Sequence, residues 1–437
     1  MPYPGIEIKG GKMMKMKNKW LCCSLAALTL TASLAGCSGS GTSTSTAGTQ
    51  SAESAASAEP TTLRVTMALS EEEWAVMRQD VIPQFEAENN CTVEAVQVEA
   101  SDVVKKLEAM NSAGKMEIDL LAQDVNQTYE LIEKGLVEDL TEYEDLIPEE
   151  ALGSLSEAGK VNGKTYFMPY RPNAEINFYN TKYFEQYGVE APTTWDELYD
   201  AAKTIKEADG LGRVCLKIGM NGDAIEIVEF IRGAGGDPLV LNDEGCVEAF
   251  TFLQKLWPEL SENTLTASFS TMNGFLAKEE VYYGPNWPFA MNVIVKDGGK
   301  TEVVANSGVA GPKQYVKTLG GEVLGIPVGS PNKELAIKFI QYLESKDVQA
   351  TLMRENGWAS FRNDVYEEVE DWQKPYFEAL TEALAAAQPL PNVPYWGKVQ
   401  QAINDASKEI LLDGADVKTT LDKYAAQIQT EIANYNA

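Results

Sequence analysis

The chain contains no histidine among its 437 residues. That absence excludes Ser-His-Asp and Cys-His nucleophilic catalysis, zinc sites with histidine ligands, and histidine as a general base. An enzyme of this composition would have to work with carboxylates, tyrosine or lysine. We therefore predict no catalytic residues, no metal site and no cofactor.

Basic residues are scarce: 36 lysines and arginines stand against 65 aspartates and glutamates, a formal net charge of −29. Such a chain repels phosphate backbones, so nucleic acid is excluded as a partner. Hydrophobic residues make up 44% and charged residues 23%, which is typical of a globular protein. The length exceeds what one compact domain usually holds and predicts two lobes.

A hydrophobic run long enough for a stable transmembrane helix is also lacking. The apolar run Trp20–Leu30 follows three lysines, an arrangement typical of a secretory signal. Leu34-Ala35-Gly36-Cys37 resembles the bacterial lipobox, in which cleavage before the cysteine leaves a lipid-modified residue. Residues 1–36 are therefore predicted to be a lipoprotein signal, with a misread start upstream of the true methionine, and Cys37 the lipidation site.

Only six cysteines occur, and three of them lie within the signal or directly after it. Residues 37–61 are rich in Ser, Thr, Ala and Gly and too polar to form a core, which predicts a flexible tether. The folded part retains Cys91, Cys215 and Cys246. An odd count allows at most one disulfide, for which Cys215 and Cys246 are the pair within one stretch of the fold. Free buried thiols are the equal alternative.

Strand and helix patterns alternate in the first part of the fold. The predicted strands are Leu63–Met67, Thr92–Val98 and Ile118–Ala122, each followed by a helical pattern. This order predicts a parallel sheet with right-handed crossovers, in which ligands bind beyond the carboxyl ends of the strands. Glu72 and Asp124 are the candidate site residues at those ends. An N-cap for the following helix is the alternative role of Asp124.

The segment Met168–Asn180 contains two prolines three residues apart, Pro169 and Pro172. They exclude helix and favour extended backbone on either side. The polar residues Arg171 and Asn173 lie here at a point that we expect to be exposed on one side. One interpretation is an ordinary strand–turn–strand. The other, which we favour, is a hinge that lines a cleft between two α/β lobes.

A tryptophan follows a predicted strand and a Gly-Pro turn in Gly284-Pro285-Asn286-Trp287-Pro288. An indole in that position is poorly placed for a core and well placed for the wall of a cleft. Gly320–Ile326 is predicted to be a strand that returns the chain to the first lobe. Ser330 and Pro331 supply a helix cap followed by proline at the first helical position. The last predicted helices span 374–387, 397–412 and 416–434.

Together these features resemble the extracellular solute-binding proteins of family 1, the carbohydrate receptors of ATP-driven importers. The resemblance spans residues 61–437 and rests on Asp124, the 168–180 segment, Trp287, the helix over 330–343 and Trp396, in that order. It implies an α/β, two-lobed, type II periplasmic-binding-protein-like fold with a hinge and an interlobe cleft. The implied lobes are 62–172 plus 310–345 and 173–309 plus 346–437, and the implied connections lie near 169–174, 303–320 and 343–360.

The resemblance also implies roles for single residues. Asp124 matches an acidic ligand-binding residue at a strand end, and Trp287 and Trp396 match aromatic residues that stack on the ligand. Asn173 stands where a relative has an acidic residue. The segment Gly320-Gly321-Glu322 resembles a double-glycine turn near the ligand.

A sugar would suit such a set of residues. A pyranose offers an apolar C–H face to aromatic rings and a rim of hydroxyls to carboxylate, amide and guanidinium groups. The candidate ligand-binding residues are Glu72, Asp124, Tyr170, Arg171, Asn173, Asn221, Trp287, Glu322, Trp358 and Trp396. An ion pair that bridges the lobes is the alternative role of Arg171, and a solvated position is that of Glu322.

We therefore expect a monomeric receptor, anchored by lipid at the extracellular face of the cell membrane or in the periplasm. It would close on a di- or oligosaccharide and deliver it to the membrane permease subunits of an ABC importer. One alternative is a receptor for a non-sugar solute such as a polyamine, a metal or a peptide. Another is a secreted glycoside hydrolase, which would need two carboxylates about 5–5.5 Å or 6.5–9.5 Å apart.

Overall fold

A computed structural model of the chain describes residues 60–98, 102–218 and 224–435. The predicted signal, Cys37, most of the predicted tether and Asn221 lie outside these ranges. Within them, no helix is both long enough and apolar enough to cross a membrane.

The secondary structure alternates between short strands and helices. The strands are β1 Thr61–Thr66, β2 Cys91–Ala95, β3 Leu120–Asp124, β4 Lys160–Val161, β5 Lys164–Thr165, β6 Met168–Asn173, β7 Ile176–Asn180, β8 Tyr283–Asn286, β9 Val303–Asn306, β10 Lys317–Gly325 and β11 Ala387–Pro389. The helices are α1 Glu71–Val76, α2 Ile82–Asn89, α3 Val103–Ser112, α4 Tyr129–Glu133, α5 Gly153–Ala158, α6 Thr181–Tyr187, α7 Trp195–Asp209, α8 Ile225–Gly233, α9 Glu244–Leu256, α10 Phe269–Ala277, α11 Lys333–Leu343, α12 Lys346–Asn356, α13 Lys374–Ala385, α14 Trp396–Leu411 and α15 Val417–Tyr435.

The larger sheet has the order β11-β10-β3-β1-β2, with β6 also paired to β10. Strand β1 runs parallel to both β2 and β3, which confirms the predicted parallel arrangement. Strand β10 runs antiparallel to both β3 and β6. The carboxyl end of β3 therefore lies directly beside the middle of β10.

The smaller sheet is antiparallel, with the order β8-β7-β9. The prediction of a strand that stops before Gly284 was wrong, because β8 continues through Gly284 and Pro285 to Asn286. Proline lacks the N–H that an interior strand must donate, and it is tolerated here because β8 is an edge strand.

Hydrophobic side chains form separate cores around the two sheets. Leu63 of β1 and Leu120 of β3 pack with α2 and α11, where the rings of Phe85 and Phe339 lie 4.7 Å apart between centroids. The smaller sheet packs against two further clusters, one built from α7, α8, α9, α14 and α15 and one from α10 and α13. We call the protein around the larger sheet the first lobe and that around the smaller sheet the second lobe.

The chain connects the two cores at three places. Strand β6 contributes Tyr170 to the first core, and Ala174, directly after the strand, belongs to the second. Strand β10 contributes Leu319 to the second core and Leu324 to the first. Helix α12 packs on both cores. The lobe boundaries themselves stay a prediction.

The first helical region begins at a capping box and is interrupted near Pro83. Ser70 and Glu73 form a reciprocal capping box at the start of α1. A π-helical segment, Met77–Val81, separates α1 from α2, and Pro83 lies in the first turn of α2. Proline has no N–H and crowds the preceding turn, which accounts for the local change in helical pitch.

The predicted cap of α11 was wrong by two residues. The helix begins at Lys333, with Asn332 in the cap position. The Ser330 hydroxyl instead donates to a carboxylate oxygen of the buried Asp119 at 3.0 Å, and the Asn332 amide donates to the same oxygen at 3.1 Å. The buried carboxylate requires these donors, which moves the helix start towards the carboxyl terminus.

The cysteines of the folded part are free buried thiols, one of the two alternatives that the sequence left open. Cys215 belongs to the core around α10 and α13, and Cys246 belongs to the core around α9. Burial raises the pKa of the Cys215 thiol to about 12, so this thiol stays protonated.

Candidate ligand-binding site

Two adjoining cavities lie between the lobes at the carboxyl end of β3. The first compartment has a volume of about 250 Å³ and the second about 360 Å³. Asp124, Asn126, Ile225 and Phe269 line both of them. Because Asp124 extends from the larger sheet and Phe269 begins a helix that packs on the smaller one, both lobes contribute to the cleft.

Arg171 is fixed in the wall of the first compartment by two glutamates. Its Nε and Nη2 atoms donate to the two carboxylate oxygens of Glu322 at 2.5 and 2.6 Å. Its Nη1 atom donates to Glu73 Oε1 at 3.2 Å, and the indole N–H of Trp358 donates to the same oxygen at 2.8 Å. The guanidinium carbon lies 4.1 Å from the centroid of the Trp358 ring. We call these four residues the Arg171 clamp.

Strand register places three charges in a row across the larger sheet. Glu322 of β10 lies opposite Asp124 of β3 on one side and opposite Arg171 of β6 on the other. The two neighbouring carboxylates are of like charge, an arrangement that destabilises a sheet. Arg171, on the other side of Glu322, offsets part of this repulsion.

The segment Gly320-Gly321-Glu322 lies within β10, so the predicted double-glycine turn was wrong. A β-bulge between Glu322 and Val323 bends the strand instead. Gly321 has a φ of +108°, and a Cβ atom there would lie 1.9 Å from the carbonyl oxygen of Arg171. A glycine is required at this point because the two backbones approach so closely.

The Asp124 carboxylate lines both compartments and also caps a turn. Its Oδ1 atom accepts the backbone N–H of Asn126 at 2.7 Å, which confirms the capping role, whereas the ligand-binding role stays a prediction. Burial is the main cause that raises the pKa of Asp124 from 3.8 to about 6. The N–H of Asn126 opposes this shift, and the charge of Glu322 adds to it.

Aromatic rings from the second lobe form the opposite wall. Trp287 lies in the first compartment against Gly320, where a Cβ atom would come within 3.0 Å of the indole. Phe269 is 54% exposed and lies where the compartments meet. Trp396, at the start of α14, lines the second compartment.

The predicted site residues divide into those at the cavity surface and those elsewhere. The ones that line the cleft are Asp124, Arg171, Asn173, Trp287, Glu322, Trp358 and Trp396. Tyr170 is only 1% exposed, lines neither compartment and packs behind Trp358 with 6.0 Å between ring centroids. Asn221 and the side chain of Glu72 lie outside the described part of the chain.

Residues 80–379 match the family of bacterial extracellular solute-binding proteins. The chain belongs to this family. A Brucella abortus (strain 2308) protein, named only as a binding protein, is 25% identical over 395 residues, which cover 85% of this chain and 94% of the relative. The resemblance identified from the sequence is therefore confirmed at the level of the family.

Solved structures show the same two-lobed fold as this solute-binding protein. Maltose-bound MalE3 of T. maritima superposes with a TM-score of 0.73 at 24% identity, covering 85% of this chain and 99% of the other. The GacH receptor of Streptomyces glaucescens, solved unliganded and with acarbose, gives 0.73 at 21% identity, with 85% and 98% covered. The predicted fold class is confirmed.

Sequence reasoning missed three residues of the cleft in this solute-binding protein. Glu73 forms a capping box with Ser70 through one carboxylate oxygen, and its second oxygen contacts Arg171. Asn126 joins the lobes, since its side chain accepts the Leu390 N–H at 3.1 Å. The third residue is Phe269, which directly follows the helix cap Ser268. An aromatic residue at such an exposed position was the sequence signal that could have identified it.

A second cation, Lys217, lines the second compartment and is paired with two glutamates. The Lys217 ammonium contacts Glu175 at 2.7 Å, Glu226 at 2.6 Å and the Pro285 carbonyl at 2.9 Å. Burial raises the pKa of Glu226, and Lys217 opposes this shift. We call Glu175, Lys217 and Glu226 the Lys217 cluster.

Proposed function

We propose that this protein is the lipid-anchored receptor of an ABC importer and that it binds a di- or oligosaccharide between its lobes. One observation carries the proposal: aromatic rings and fixed polar groups from both lobes line one cleft. Trp287 and Trp396 supply ring faces, while Asp124 and Asn173 supply hydrogen-bonding groups.

The chemistry of these residues suits the two surfaces of a pyranose. An indole ring covers the apolar C–H face over a large contact area and has few torsions to immobilise. The Asp124 carboxylate accepts hydrogen bonds from hydroxyls, and bonds to a charged acceptor are the stronger ones. The Arg171 clamp positions Trp358 and Glu322 before the ligand arrives, which lowers the entropic cost of binding.

The length of the cleft supports a ligand with more than one ring. Trp287 lines the first compartment and Trp396 the second, and Asp124 lies where the two meet. A ligand that contacts both tryptophans has to extend through both compartments. MalE3 with maltose and GacH with acarbose are sugar-bound proteins of the same fold, which supports the assignment to saccharides.

Closure of the lobes on the ligand would couple binding to delivery. Two-lobed binding proteins close by a hinge motion, and a ligand favours the closed form to the extent that it contacts both lobes better there. The connections through β6, β10 and α12 would serve as the hinge. The lipid on Cys37 and the tether after it would keep the receptor near its permease.

A thermal-shift panel tests this proposal. Neutral di- and oligosaccharides should raise the melting temperature of the purified protein in a concentration-dependent manner, while polyamines and peptides should not. Chromogenic glycosides should remain uncleaved, because a receptor releases its ligand unchanged. Stabilisation by a polyamine or a peptide alone, or release of the chromophore, would contradict the proposal.

A further inference from the structure

We propose that the cleft acts as a charge filter, which accepts neutral and amino-bearing saccharides and rejects those that carry a carboxylate or a phosphate. This inference rests on the proposed function and narrows its class of substrate. It follows from which charges line the cleft and which of them are already paired.

Negative charge exceeds positive charge in the first compartment. Glu73, Asp124 and Glu322 line it together with a single cation, Arg171. The bidentate edge of this guanidinium is closed by Glu322, and its Nη1 atom is bonded to Glu73. An anionic ligand would have to displace one of these glutamates to obtain the usual fork-shaped contact.

Asp124 supplies the surplus charge. Within the described residues, no lysine or arginine nitrogen comes within 4.0 Å of its carboxylate, which accepts the N–H of Asn126. Glu322 lies directly opposite it on β10, so the two carboxylates reinforce each other's field. Like charges repel more strongly in a partly desolvated cleft than in water, so a ligand anion beside Asp124 is disfavoured. A ligand ammonium in the same place is favoured.

The second compartment does not supply a free positive charge that would offset the negative charge of the first. Its cation, Lys217, has three ammonium donors and contacts two glutamates and the Pro285 carbonyl. The two internal stretches outside the described ranges, 99–101 and 219–223, contain no lysine or arginine. The net charge of −29 adds a long-range repulsion that slows the approach of an acidic saccharide.

Calorimetry on the full chain with three matched ligands tests the filter. The first ligand is a neutral saccharide that binds, the second is the same saccharide oxidised to a uronic acid at one C6, and the third carries an amine in place of one hydroxyl. The acid should bind at least about 100-fold more weakly than the neutral ligand at low salt, and the gap should narrow as salt rises. The amine should bind at least as tightly as the neutral ligand.

Asp124→Asn provides the matched variant, and Asp80→Asn, at an exposed position outside the cleft, is its control. Removing the Asp124 charge should reduce the ratio of the affinities for the neutral and the acidic ligand by about tenfold. The control variant should keep the wild-type ratio. An acid that binds as tightly as the neutral saccharide overturns the filter and leaves the proposed function standing. An unchanged ratio in Asp124→Asn also overturns it. If none of the three ligands gives a binding signal, both the proposed function and this inference are contradicted.

Discussion

The Lys217 cluster and the Arg171 clamp each hold one cation between two glutamates, yet their surroundings differ. In the Lys217 cluster the side chains are 0–4% exposed. In the clamp the three charged side chains are 14–25% exposed and border a cavity that also contains the like-charged Asp124. A cation between carboxylates is therefore no mark of a binding site by itself. The partial exposure of the charged side chains in the clamp distinguishes it from the buried Lys217 cluster.

From this comparison we predict that Lys217→Met causes the largest loss of stability. The substitution leaves Glu175 and Glu226 buried without their cation, which should cost about 3–5 kcal/mol of unfolding free energy. Urea denaturation at neutral pH measures it. Lys105→Met is the control, because that side chain is 82% exposed and should change stability by about 0.5 kcal/mol or less. A loss below about 1 kcal/mol for Lys217→Met would show that the cluster does not stabilise the second lobe.

Arg171→Met should destabilise the protein less and impair binding more. Water can reach the glutamates of the clamp in part, so we expect a loss of about 1–3 kcal/mol in the same denaturation experiment. Saccharide affinity should fall at least tenfold, because Trp358 and Glu322 lose the group that positions them. Equal stability losses for Arg171→Met and Lys217→Met, with unchanged affinity, would remove the distinction between the two clusters.

Asp124→Asn distinguishes the contribution of the Asp124 carboxylate from that of the Arg171 clamp. The folded pKa of about 6 exceeds the ordinary 3.8, so ionisation opposes folding, and the unliganded protein should lose stability as pH rises from 4 through 6. A ligand that donates hydrogen bonds to the ionised carboxylate should bind more weakly as pH falls below 6. The variant should abolish both pH dependences and weaken saccharide binding about 10- to 100-fold. Melting and titration curves at several pH values measure this, and wild-type pH dependence in the variant would assign it to another group.

Local pattern was sufficient for some of these site residues and insufficient for others. Asp124 ends strand β3 and Trp287 follows strand β8, and a strand end is visible in sequence. Tyr170 and Arg171 were both predicted to bind ligand, but adjacent residues of a strand point to opposite faces. Arg171 and Asn173, two apart, therefore line the cleft while Tyr170 is buried behind it.

Long-range partners explain what the sequence could not show. The run Glu71-Glu72-Glu73 offers three carboxylates after β1, and the one that faces the cleft is selected by Arg171, which lies 98 residues further along. The Lys217 cluster likewise joins residues of the turn before β7, a loop and α8 that have no pattern in common. Elements and strand ends could be predicted, whereas pairings between distant charges could not.

The smallest effect is expected outside both clusters, for Tyr435→Phe. The Tyr435 hydroxyl of α15 donates to Glu133 of α4 at 2.6 Å and so joins the two lobes, but Tyr435 is 46% exposed. Its loss should change stability little and speed saccharide release by a few-fold at most. Stopped-flow fluorescence measures the release rate, with Tyr199→Phe, within the second lobe, as control. A larger change would place the contact among the main determinants of closure.

Isothermal titration with neutral di- and oligosaccharides, run on the wild type beside Trp287→Ala and Trp372→Ala, tests the central claim most directly. Trp287 lines the first compartment, whereas Trp372 packs against Tyr376 outside the cleft. We predict a saturable heat for at least one saccharide, an affinity reduced about 10- to 100-fold in Trp287→Ala, and wild-type affinity in Trp372→Ala. Equal affinity in all three proteins, or no heat with any saccharide, would contradict a sugar-binding cleft between the lobes.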